Sequence, residues 1–70
     1  MKEVLSNIAG NVMTCSVQVG DQIEVGDTVA VIESMKMEIP AESEESGKVV
    51  EVCVAVGDEV EEGQRLVILA

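Results

Sequence analysis

Seventy residues without a single Phe, Tyr or Trp allow one small domain whose core must be assembled from Val, Ile, Leu, Met and Ala. Fourteen acidic side chains against four basic ones give a formal charge of -10, which works against nucleic acid or an anionic membrane as a partner and favours a monomer. The absence of histidine removes the usual general base, the base of Ser-His and Cys-His pairs and the commonest metal ligand, so most enzyme classes are excluded.

In chain order, the start from Met1 to Asn7 holds no apolar run of signal-peptide length. The longest uncharged apolar runs, at 29–32 and 66–70, fall far short of the ~20 residues that cross a bilayer, so a cytoplasmic location is expected. β-Branched residues dominate, and Gly-Asp or other Gly-containing breaks recur every six to ten residues. These features predict strands near residues 2–6, 11–18, 22–25, 28–34, 37–41, 48–55, 59–62 and 65–70. The long stretch free of Gly and Pro at 27–39 carries no 3.6-residue apolar stripe, and no helix is predicted.

A shift of 37 residues lays the chain on itself without a gap. Val17-Gln18-Val19-Gly20-Asp21 meets Val54-Ala55-Val56-Gly57-Asp58, and Ile23-Glu24-Val25-Gly26 meets Val60-Glu61-Glu62-Gly63. Eight of the 23 pairs between residues 10 and 32 and their counterparts are identical, where composition alone gives roughly two. One supersecondary unit built twice, as units of about 1–33 and 37–70 related by a pseudo-two-fold, is the expected arrangement. Eight short strands with brief connections then form two sheets or a flattened barrel. In the same alignment Cys15 meets Val52 and Cys53 meets Ser16, which puts Cys15 inward and Cys53 outward and argues against a bridge between them. The acidic stretch Glu42-Ser43-Glu44-Glu45 reads as a solvated loop.

Only residues 34–36 fall between the two units, so they form the hairpin that joins them. Under the two-fold, the chain ends take the equivalent place at the other end, and Lys36 projects away from them. Tight hairpins favour Asn-Gly or Gly-Gly because their turns require positive φ, yet Met35 and Lys36 stand at this tip. Breaking a turn rule at the most exposed point of a small domain is behaviour expected of a functional site. Most exposed lysines do nothing specific, but this one is flanked symmetrically by Met35 and Met37 and, further out, by Glu33 and Glu38. Thioethers present an adaptable apolar surface to a partner. Glu33, Ser34 and Glu38 fit a solvated strand edge about as well as a recognition role.

On these residues the sequence resembles the biotinyl and lipoyl carrier domains over essentially its whole length, most of all the small free-standing bacterial biotin/lipoyl attachment proteins. Glu33-Ser34-Met35-Lys36-Met37-Glu38 is similar to the biotin attachment motif, and the Val-Gly-Asp-x-Ile/Val-Glu-x-Gly elements at 19–26 and 56–63 accompany it. The resemblance implies an all-β flattened barrel of two four-stranded antiparallel sheets, with the modified lysine on the hairpin between the repeats. It implies covalent biotin on Lys36, placed there by a biotin protein ligase that reads Glu33, Ser34, Met35, Met37 and Glu38. The biotinyl arm would then shuttle CO2 from a biotin carboxylase to a carboxyltransferase, making the chain a non-catalytic carrier. Lipoyl domains of 2-oxo acid dehydrogenase systems share the fold but usually carry Asp-Lys-Ala at the hairpin, so lipoate, or either group, is the alternative. An unmodified interaction module on the same fold is the reading from a different class.

Overall fold

The computed structural model describes residues 2–70, and Met1 lies outside the described residues. Eight strands follow one another: β1 (Lys2–Leu5), β2 (Gly10–Cys15), β3 (Gln22–Ile23), β4 (Thr28–Ser34), β5 (Met37–Glu42), β6 (Gly47–Val52), β7 (Glu59–Val60) and β8 (Arg65–Leu69). They form two antiparallel four-stranded sheets, ordered β1-β8-β6-β3 and β5-β4-β2-β7. Adding 37 residues carries β2 onto β6 and β3 onto β7 end for end, and turns the first sheet order into the second term by term. The repeat seen in the sequence is therefore a two-fold that exchanges the sheets.

The core lies between the sheets and is aliphatic, with Val12, Val29, Ile32 and Val60 facing Val49, Leu66, Leu69 and Ile23. The fully buried members come in symmetry pairs, as expected when each unit buries its apolar face only against its twin. Strict in-out alternation fails at Val29-Ala30 and Leu66-Val67, where consecutive residues are buried. The cause is a bulge at each of these places: the register skips Val29 between Thr28 and Ala30, and Leu66 between Arg65 and Val67. A second symmetric pair of bulges skips Met13 and Val50. Each extra residue sharpens the local bend and re-aims the side chains, which lets eight short strands close around so small a core.

Several expected strands are longer than those observed. The strands predicted at 11–18 and 48–55 end at Cys15 and Val52, and those at 22–25 and 59–62 end at Ile23 and Val60. Side chains take over the backbone donors at those points. The Gln18 and Ala55 N–H groups donate to the carboxylates of Asp21 and Asp58, both at 2.9 Å, and the Glu24 N–H donates to Asp27 Oδ2. A residue three positions on thus converts a β-branched run into a turn. The expectation of a wholly solvated loop at Glu42–Glu45 also needs correction. Glu42 closes β5 and Ser43 is buried, its hydroxyl donating to the Glu45 carbonyl while its own N–H donates to the Asp27 carbonyl. Its twin Ser6 is equally buried and donates to the Ile8 carbonyl, so a polar corner is built into both units.

Candidate functional site

β4 and β5 pair with Ile32 opposite Ile39, Glu33 opposite Glu38 and Ser34 opposite Met37, leaving Met35 and Lys36 as a two-residue loop. Their φ angles are +52° and +66°, and among the described residues they are the only non-glycine positions with positive φ. Both central residues lie in the left-handed region, as a type I′ turn demands, and that turn matches the twist of the strands it joins. For residues with a Cβ this conformation costs about 1–2 kcal/mol each. The ladder enforces it: Ile32 is completely buried and holds β4 against the core three residues before the tip begins.

The tip is thus held firmly while its side chains are free. Met35 is 93% exposed and Met37 63%, and Lys36, Glu33 and Glu38 all face solvent, while Ser34 is half-buried. The Glu33 and Glu38 carboxylates belong to a directly opposed pair, an arrangement that their contact with solvent makes tolerable. Among the described residues the one ion pair joins Arg65 to Glu3 at 2.7 Å, so neither glutamate engages Lys36. The other two lysines are placed differently. Lys2 donates to the Ser46 carbonyl, and Lys48 sits within β6 opposite Gln22. Lys36 alone combines an exposed primary amine with a turn that pushes it outward.

One residue below the hairpin escaped the reading of the motif. A Cβ on Gly10 would lie 2.2 Å from the Glu33 carbonyl oxygen and 2.9 Å from the Ile32 Cγ2, so its absence lets β2 run tight beneath the root of the hairpin. The clue was available, because Gly10 and Gly47 are one of the identical pairs of the repeat, and Gly47 makes the equivalent close approach to Ala70.

Cys15 is partly buried with its thiol directed at the Val17 carbonyl, Cys53 is exposed, and both are free thiols, as the repeat alignment predicted. Partial desolvation, and next the nearby Glu51 carboxylate, push the Cys53 thiol above its ordinary value, with Arg65 pulling the other way. No group of His, Cys, Asp and Glu with the geometry to hold a metal occurs among the described residues. Among the described residues no helix is long and apolar enough to cross a membrane.

Residues 2–69 match the sequence profile of the biotin/lipoyl family, described as biotin-requiring enzymes. The chain belongs to the biotin/lipoyl family. A biotin/lipoyl attachment protein of Bacillus subtilis is 56% identical over 45 residues, which are 64% of this chain and 62% of that protein. The chain thus spans less than two thirds of the length of that relative. A homologue of the biotinylated protein TB7.3 from Mycobacterium leprae is 38% identical over 69 residues, 99% of this chain and 97% of the other. Among solved structures, the urea carboxylase of Kluyveromyces lactis contains a segment that superposes with a TM-score of 0.89 at 33% identity. The match covers 99% of this chain and 6% of that one. The biotin/lipoyl fold expected from the hairpin and the repeat is therefore the fold observed.

Proposed function

We propose that Lys36 is the point of covalent biotin attachment and that the chain is a biotin carboxyl carrier protein, a non-catalytic substrate of a biotin protein ligase. The observation that carries this reading is the tip itself: an exposed amine without an ion-pair partner, on a strained turn, between two exposed methionines. These residues fit the group, because amide formation needs an amine that a ligase can surround and a support that does not yield when it is gripped. The names of the relatives, with biotin in each, support the same cofactor.

Each part of the hairpin then has a task. A lysine side chain is an ammonium ion at neutral pH, so the ligase must take a proton from Nζ and present an activated acyl group before the amide forms. The amide removes the positive charge at position 36, so the nearby Glu33 and Glu38 carboxylates have no cation there to hold the arm down. Met35 and Met37 offer thioether surface to the enzymes that receive the tip, and with Glu33, Ser34 and Glu38 they form the surface a ligase reads. When attached, biotin supplies a carrier for activated CO2 between a biotin carboxylase and a carboxyltransferase. Tethering raises its effective concentration at both sites far above that of free biotin. A charge of -10 keeps the body monomeric and steers it toward basic docking surfaces. The two free thiols suit a reducing cytoplasm.

The test is the intact mass after co-expression with a biotin ligase and biotin. One added biotinyl group is expected on the natural chain and none on Lys36→Arg, with both proteins melting at the same temperature. A labelled Lys36→Arg protein would overturn the assignment. The Bacillus relative is named for both groups, so the same pair is also offered to a lipoate ligase. Loading there and not by the biotin ligase makes the chain a lipoyl carrier, and loading by neither makes it an unmodified interaction module.

A further inference from the structure

The two-fold provides an internal reference for reading the surface. Val19 and its twin Val56 are both well exposed, and Met13 and Val50 are each a little over one third exposed, so these apolar exposures accompany the fold itself. Leu5 and Val25 are different. They are 46% and 67% exposed, yet their twins are Glu42 and Glu62. Pro40 is a third case, its twin being Glu3. Leu5, Val25 and Pro40 line one groove between β1 and β5, and Glu42, Glu44 and Glu45 line it too. No lysine or arginine lines this groove. Exposed apolar groups whose twins are acidic are therefore gathered in this groove beside carboxylates.

The backbone around the groove is also available. β1 and β5 are the outer strands of their respective sheets, paired only with β8 and β4. Pro40 leaves β5 with one donor fewer, which protects that edge, whereas β1 contains no proline. An open strand edge accepts a further extended chain through main-chain hydrogen bonds, and alternate side chains of the added strand then point to opposite faces.

We propose that this groove docks an extended segment of a partner protein in which apolar side chains alternate with lysine or arginine, added to the free edge of β1. The apolar side chains would cover Leu5, Val25 and Pro40, and the cationic ones would meet Glu42, Glu44 and Glu45. This assignment stands independently of what Lys36 carries.

The probe is a synthetic nine-residue peptide alternating valine and lysine, titrated into the 15N-labelled protein and followed by NMR. Saturable shifts confined to β1, the turn at Val25 and residues 41–45 are expected, weakening as salt is raised. The decisive variant is Leu5→Glu with Val25→Glu, which installs the residues that the same fold already accommodates at 42 and 62. It should bind about tenfold more weakly although it is more acidic. Val25→Glu alone, at an exposed turn position, should weaken binding in the same direction and guards against a folding defect in the double variant. Unchanged or tighter binding by these variants would mean that charge alone attracts the peptide and would overturn the proposal. Shifts spread over the whole acidic surface, or none up to millimolar peptide, would overturn it as well.

Discussion

At the scale of single residues, the site runs against local preference. Met35 and Lys36 occupy a conformation suited to Asn and Gly, and they hold it because the paired strands on either side leave a two-residue loop no alternative. Replacing Met35 with Asn and Lys36 with Gly should therefore stabilise the fold by about 1–2 kcal/mol, read as a shift in the denaturant midpoint at constant slope, while abolishing loading. Stability gained by losing the side chains proposed to take part in biotin attachment is the trade-off expected where function holds a turn away from its best sequence. Cys53 allows a separate check. A thiol raised above its ordinary value holds its proton more tightly, so at a given pH it presents less of the reactive thiolate. Alkylation of Cys53 near pH 8 should be slower than that of a small free thiol. Lowering the charge with Glu51→Gln should speed it, because that carboxylate is the second cause of the shift after desolvation.

At the scale of elements, the repeat offers controlled comparisons within one molecule. Gly10→Ala and Gly47→Ala place the same methyl group at twin positions. The first is driven into the Glu33 carbonyl beneath the hairpin, the second into the Ala70 carbonyl near the chain end. Each should destabilise by about 1–3 kcal/mol through forced backbone movement. Hydrogen exchange separates them: Gly10→Ala should lose protection in β4 and β5 around the hairpin, and Gly47→Ala should spare it. The hairpin position and the Lys36 motif were legible in the sequence because a gapless repeat leaves only one junction. The Val29 and Leu66 bulges were not, since a bulge is set by which residue the partner strand skips, and that partner lies far away in sequence. The ends of β2 and β6 were overextended for a related reason: Val17 and Val54 are buried like strand residues but stand just before turns closed by Asp21 and Asp58.

At the scale of the whole molecule, a net charge of -10 sits on 70 residues, and in the folded state these charges are confined to a body of 10.8 Å radius of gyration. Compaction brings like charges closer than they are in the unfolded chain, and salt relieves that repulsion. Raising sodium chloride from about 20 mM to about 500 mM shortens the screening length severalfold and should raise the melting temperature by several degrees. A flat response would mean that the carboxylates are already spaced beyond mutual influence. The same acidic field surrounds the projecting Lys36, so the approach of basic partners should also slow as salt rises.

The sequence by itself determined the repeat, the all-β class, the aliphatic core and the placement of Lys36 at the single junction, because periodicity and internal identity are local properties that survive without coordinates. Only the tertiary structure decided the bulge positions, the burial of Ser6 and Ser43 and the close passage of Gly10 under Glu33. It also decided which exposed apolar residues gather in the groove between β1 and β5. Each of these depends on contacts between residues distant in the chain, and their energies exist only once the two sheets have closed on one another.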